Sequence, residues 1–193
     1  MNATAIATDQ STKTSEWQID PAHSAAHFSV RHLMISNVRG EFSKLSGKVT
    51  LDPADLTRST VEVSLETSSI STREPQRDEH LRSADFFDVA NYPSINFRST
   101  RIVAAGPGQF ELSGNLTIRG NSKEVIFNVE GPTPAVKDPW GKTRSGVTAT
   151  AKINRKDFGL VWNGLLESGG MIVGDEVSII IEAELVQAAT ATA

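Results

Sequence analysis

Apolar and polar positions alternate with period two along most of the chain, the signature of strands with one buried face. The clearest run lies near the C-terminus. Val177, Ile179, Ile181, Ala183 and Leu185 share one face, and Glu176, Ser178, Glu182 and Glu184 the other, with Ile180 the exception. Val61, Val63 and Leu65 alternate with Glu62, Ser64 and Glu66. Phe110, Leu112, Gly114, Leu116 and Ile118 make another apolar face, as do Val125, Phe127 and Val129, and Val147, Ala149, Ala151 and Ile153. Weaker alternation runs through Ala26, Phe28, Val30 and His32, through Leu45, Gly47, Val49 and Leu51, and through Ile95 and Phe97. One wet face per strand predicts antiparallel pairing. Short turns agree: Gly106-Pro107-Gly108, and Arg119-Gly120-Asn121-Ser122 as a hairpin. About eight short strands in succession predict an all-β barrel or sandwich.

Two segments interrupt this pattern. Glu74 to Tyr92 reads as a helix followed by an irregular turn, with Pro75 in the first turn and Asp78 to Arg82 an i,i+4 pair. Lying between two strands, it is expected to cover one end of the sheet. Pro132 to Arg144 is a second long connection, rich in Pro and Gly, of the kind that forms rims and lids. Residues 1–15 and 188–193 lack patterning and are expected to be flexible tails around one domain, 16–187.

A closed barrel of eight strands is either filled by side chains or holds one small ligand. The inward faces mix large residues (Phe28, Leu65, Phe97, Leu112, Phe127) with small ones (Gly47, Gly114, Ala149, Ala151, Ala183). That mixture suits a tapered core and an apolar cavity equally well. The expected lining is Phe28, Val30, His32, Val49, Leu65, Phe97, Leu112, Phe127, Ala149, Ala151 and Ile181. His32 shares the face of Phe28 and Val30, as an interior polar group or an anchor for a ligand head.

Composition narrows the chemistry. The 193 residues carry 19 Lys and Arg against 23 Asp and Glu, a net charge of −4, so no large positive field exists for non-specific nucleic-acid binding. The absence of cysteine excludes disulfides, thiolate catalysis and Cys-ligated zinc. On an extended strand His23 and His27 lie about 13 Å apart, and His27 and His32 point to opposite faces, so no single metal joins them. No G-x-S-x-G elbow and no Walker A loop occurs. Arg73, Arg77, His80 and Arg82 form a basic cluster at the presumed mouth, fit either for local ion pairs or for a polar head. No apolar run approaches a membrane span, and Met1 to Ser15 has neither the basic start nor the apolar core of a secretory signal. A cytoplasmic location is expected, or a periplasmic one if a signal was removed before numbering.

Several segments together resemble a known family. They include Trp17-Gln18-Ile19-Asp20-Pro21-Ala22-His23-Ser24, Phe28-Ser29-Val30-Arg31-His32-Leu33 and Arg77-Asp78-Glu79-His80-Leu81-Arg82-Ser83-Ala84-Asp85-Phe86-Phe87-Asp88. Further on come Asp138-Pro139-Trp140-Gly141, Ile153-Asn154-Arg155-Lys156-Asp157-Phe158-Gly159 and Val173-Gly174-Asp175-Glu176-Val177. Over about Trp17 to Leu185 the chain resembles the YceI-like, polyisoprenoid-binding proteins of bacteria. The resemblance implies a lipocalin-like antiparallel barrel with an elongated apolar pore and a bound isoprenoid chain of quinone or polyprenyl phosphate type. It also implies a possible homodimer, and the function expected from the whole sequence is non-enzymatic carriage or storage, with no cofactor beyond that lipid and no stable membrane insertion. Arg77, His80, Phe86, Phe87, Trp140 and Arg155 are then expected at the mouth, as head-group partners or gate. An enzyme acting on a bound apolar substrate, and a stress-related interaction protein with an incidental lipid, are the alternatives.

Overall fold

The computed structural model describes residues 14–164 and 170–189. The expected tails lie outside them except at their inner edges, where Ser15 already belongs to the first strand. Among these residues twelve strands and one α-helix follow in order, besides three single-turn 3-10 helices: β1 (Ser15–Ile19), β2 (Ala25–His32), β3 (Ser36–Phe42), β4 (Leu45–Leu51), β5 (Thr60–Glu66), β6 (Ile70–Ser71), α1 (Pro75–Arg82), β7 (Ser94–Gly106), β8 (Gln109–Ile118), β9 (Asn121–Glu130), β10 (Val136–Lys137), β11 (Thr143–Asn154) and β12 (Val173–Gln187).

Eight of these strands close into an antiparallel barrel in the order β1-β4-β5-β7-β8-β9-β11-β12, with β12 returning to β1. Closure depends on the length of β12. One edge pairs with β11 from Glu176 to Val186. The other edge pairs with β1 over its last three residues and with β2 from Val173 to Glu182. The hairpin β2–β3, finished by the short β6, therefore extends the wall at one end. β1 is too short for its alternation to stand out, so the sequence points to β2 as a barrel strand and passes over β1.

Two tight turns set the register. Arg119 and Gly120 both take positive φ between β8 and β9, and Pro107-Gly108 joins β7 to β8. The first turn sits one residue earlier than the Gly-Asn pair suggests.

The helix is shorter than its segment. Glu74 caps it by accepting from the Gln76 N–H, and Pro75 occupies the first turn. It ends at Arg82, where the Ser83 hydroxyl donates to the His80 carbonyl. Asp78 does not pair with Arg82. It is buried and accepts from both the backbone N–H and the hydroxyl of Thr72, while Arg82 donates to the carbonyls of Ser68 and Ile70. The helix is thus stitched to β6 at the barrel end.

Candidate functional site

Side chains from the inner faces enclose a cavity of about 260 Å³ along the barrel axis. Among the described residues its walls are apolar apart from Ser59, His27 and Arg155. Toward one end lie Leu51, Phe110, Val129 and Pro132, and toward the other Leu81, Phe86, Phe87 and Leu160.

Where the space opens follows from where the small residues sit. Gly47 leaves no room, because a Cβ there would meet the Glu62 carbonyl at 2.5 Å and Ile19 Cδ1 at 2.7 Å. Gly114 is covered by the Phe97 ring, which stacks edge-on with Phe127 at 5.2 Å. These two are the tapered-core case, small meeting large. Ala149 and Ala183 instead line the cavity, on the neighbouring strands β11 and β12. On that wall they stand among Val147, Ile179 and Ile181, while Phe97, Leu112 and Phe127 line the cavity from β7, β8 and β9.

Of the expected lining, Phe28, Val30, Val49, Leu65, Phe97, Leu112, Phe127, Ala149 and Ile181 face this cavity. Ala151 is buried in the adjoining core without reaching it. His32 also lies outside it. It is the last residue of β2, half-buried at the barrel end and paired with Ser36 and Val173, where the inward direction has run out. Val61, Ile179 and Ala183, which stand on faces the alternation already marks as apolar though outside the expected lining, complete the wall together with Ile102.

The expected mouth divides. Phe86 and Phe87 line the cavity at one end. Phe86 packs on Trp162 at 5.2 Å, Phe87 edge-on to Phe42 at 5.6 Å, and His80 stands edge-on to both Trp162 (4.8 Å) and Phe86 (5.1 Å). Neither Arg77 nor His80 faces the lumen. Arg77 donates to the Thr72 hydroxyl and carbonyl, and His80 meets Asp85 at 2.9 Å. These are local partners that a helix of eight residues brings within reach.

Arg155 lines the cavity but has no hydrogen left for a ligand. Its side chain is 4 % exposed. It donates to the carbonyls of Gly174, Leu160, Trp162 and Val173 and to Asp175. The five N–H groups of a guanidinium are accounted for. Burial pushes its pKa down, partly offset by the Asp175 charge. Its work is to clamp the segment after Phe158 onto the start of β12.

Trp140 lies at the opposite end of the barrel from α1, 81 % exposed and away from the cavity. The connection that carries it is a small hairpin, β10 with the start of β11, tied across its tip by Asp138. Asp138 Oδ1 accepts from the N–H groups of Trp140 and Lys142, and Oδ2 from Arg144 Nε at 2.6 Å. Arg144 also donates to Asp20 and Glu184. His23 joins this group, 3.1 Å from Asp20. Asp20, His23 and Glu184 bring three ligand-type atoms within 4.8 Å of one another. The Arg144 guanidinium, bonded to both carboxylates, already supplies their counter-charge.

Comparison with known proteins places this barrel. The family model "YceI-like domain" matches residues 17–185. A UPF0312 protein of Vibrio cholerae is 41 % identical over 139 residues, 72 % of this chain and 73 % of its own length. The crystal structure of the Campylobacter jejuni YCEI protein is 30 % identical with a TM-score of 0.70, covering 82 % of this chain and 90 % of that one. A polyisoprenoid binding domain from Saccharophagus degradans has the same fold, with a TM-score of 0.65 at 16 % identity, covering 89 % of this chain and 98 % of that one. With nearly the whole barrel matched, the chain belongs to the YceI-like family.

Proposed function

We propose that the barrel binds a long-chain isoprenoid or related lipid, of quinone or polyprenyl phosphate type, and carries or stores it without chemical change. The observation that supports this reading most is the lumen itself. A cavity of about 260 Å³ with apolar walls runs between the ends of a closed barrel, just below the roughly 300–1,000 Å³ typical of ligand pockets. Burying about 300 Å² of isoprenoid surface is worth up to roughly 7 kcal/mol at 25 cal/mol per Å². An uncharged chain is what such walls select. The polar groups that do reach the lumen are committed to the protein, Arg155 above all. The likeness in fold to a polyisoprenoid binding domain agrees with a binding protein rather than an enzyme.

Titration with a polyprenyl phosphate and with a quinone of matched chain length tests the reading. Trp162, packed on the cavity-lining Phe86, is the reporter. Saturable binding of both, lost in Ala149→Trp, is expected. Binding that survives Ala149→Trp unchanged would place the lipid elsewhere.

A further inference from the structure

The hairpin between β2 and β3 is built against local preference. The Ile35 N–H donates to the His32 carbonyl at 3.1 Å, closing a turn whose central residues are Leu33 and Met34. Both have positive φ, 51° and 61°. That is the turn type for which Asn-Gly or Asp-Gly is preferred, because bulky L residues avoid left-handed backbone. Here the sites hold Leu and Met, followed by Ile. Two of the three face water: Met34 is 59 % exposed and Ile35 78 %.

The tip is not isolated. The Leu33 N–H donates to the Ile172 carbonyl, so the segment leading into β12 brings exposed Met171 to the same end of the barrel. This is the end where Phe86 packs on Trp162 and Phe87 on Phe42. Cations flank the apolar tip. Between Arg31 and Arg39, both exposed, no acidic residue occurs. The acids at the start of β12 are paired, Asp175 with Lys156 and Arg155, and Glu176 with Lys152. Among the described residues, Arg31 stands beside the apolar tip and donates to the Met34 carbonyl, and Arg39 lies four positions beyond Ile35 on β3, in a chain of net charge −4.

We infer that this tip docks on the surface of an anionic lipid bilayer, Met34 and Ile35 entering the interface while Arg31 and Arg39 meet the phosphates. Apolar burial and attraction to anionic lipid add in that arrangement. A second copy of the chain is the poorer occupant, since face-to-face tips would set Arg31 and Arg39 against their own kind. The inference goes with the carrier reading, because a carrier has to reach the membrane that holds its lipid.

The test is co-sedimentation of the full chain with vesicles of phosphatidylglycerol mixed with phosphatidylcholine, and with vesicles of phosphatidylcholine alone. The decisive variant is Leu33→Asn combined with Met34→Gly, which suits the turn better. It should unfold at a higher temperature and yet lose binding to the anionic vesicles by roughly tenfold or more. Ile35→Glu should lose it too, and salt should weaken the unaltered chain. No attachment to anionic vesicles, or equal attachment by the variants, overturns the inference. So does a dimer in sedimentation velocity that the double variant dissociates, which would make the tip a protein contact. Lipid extracted from the same samples separates the two readings: a lumen that never holds lipid refutes the carrier, whatever the tip does.

Discussion

Arg144 Nη1 donates to Asp20 Oδ2 at 2.7 Å, across 124 positions of sequence. The pair joins the β1–β2 turn to the hairpin that carries Trp140, and Asp138 and Glu184 complete it. The Arg144 hydrogen bond, helped by His23, holds the Asp20 carboxyl far below its ordinary value of 3.8. A depressed folded value means stability that is present above the unfolded value and lost as pH falls toward the folded one. Acid unfolding should therefore steepen below about pH 4. Asp20→Asn should flatten that part of the curve, and Arg144→Met should lower the thermal midpoint at pH 7 by at least about 3 °C. A midpoint unchanged in both variants would show that the network contributes nothing to folding.

Arg155→Met should be costly for a different reason. The substitution leaves the carbonyls of Leu160, Trp162, Val173 and Gly174 without their donor in a buried place. A loss of about 3 kcal/mol is expected. Hydrogen exchange should rise first in the segment from Leu160 to Gly164, ahead of the barrel strands. Loss of lipid with no loss of stability would instead make Arg155 a ligand contact.

The two tryptophans outside the first strand should behave oppositely. Trp140 is exposed, so Trp140→Ala should change stability by no more than about 0.5 kcal/mol and leave lipid release alone. Trp162 packs on Phe86 and His80, and Trp162→Ala should cost about 2 kcal/mol or more and speed release. Stopped-flow release from each variant is the measurement, and a fast Trp140→Ala would restore the rim role that its motif suggests.

The strand faces are legible in sequence because burial on one side imposes alternation: Val177 to Leu185 and Val61 to Leu65 read directly as β12 and β5. β3 is hidden, since its inward positions are Val38, Gly40 and Phe42, and Gly40 is silent. Its place is taken by the Phe28 ring, which a Cβ there would strike at 2.5 Å. The mouth goes wrong for a topological reason. Helix α1 and the Trp140 hairpin are separated by β7, β8 and β9, an odd number of antiparallel strands, so they lie at opposite ends. Pattern identifies each segment as a rim but carries no direction. Arg155 is named in the sequence as a mouth residue, but its clamping role and the Arg144 network are beyond reach there because their partners lie up to 20 and 124 residues away.

Ala149 and Ala151 make a paired test of the lumen's shape. Only Ala149 faces the cavity. Ala149→Trp should fold, at a cost of about 1–3 kcal/mol, and lose lipid. Ala151→Leu should cost similar stability through overpacking and keep its lipid, as read by organic extraction.

Native mass spectrometry of the purified chain tests the central claim most directly. The account predicts one added mass per barrel in the range of a long-chain isoprenoid or related lipid, removed by organic extraction and missing from Ala149→Trp. A chain that runs at its sequence mass after gentle purification, and that takes up no added polyprenyl phosphate or quinone, would contradict it.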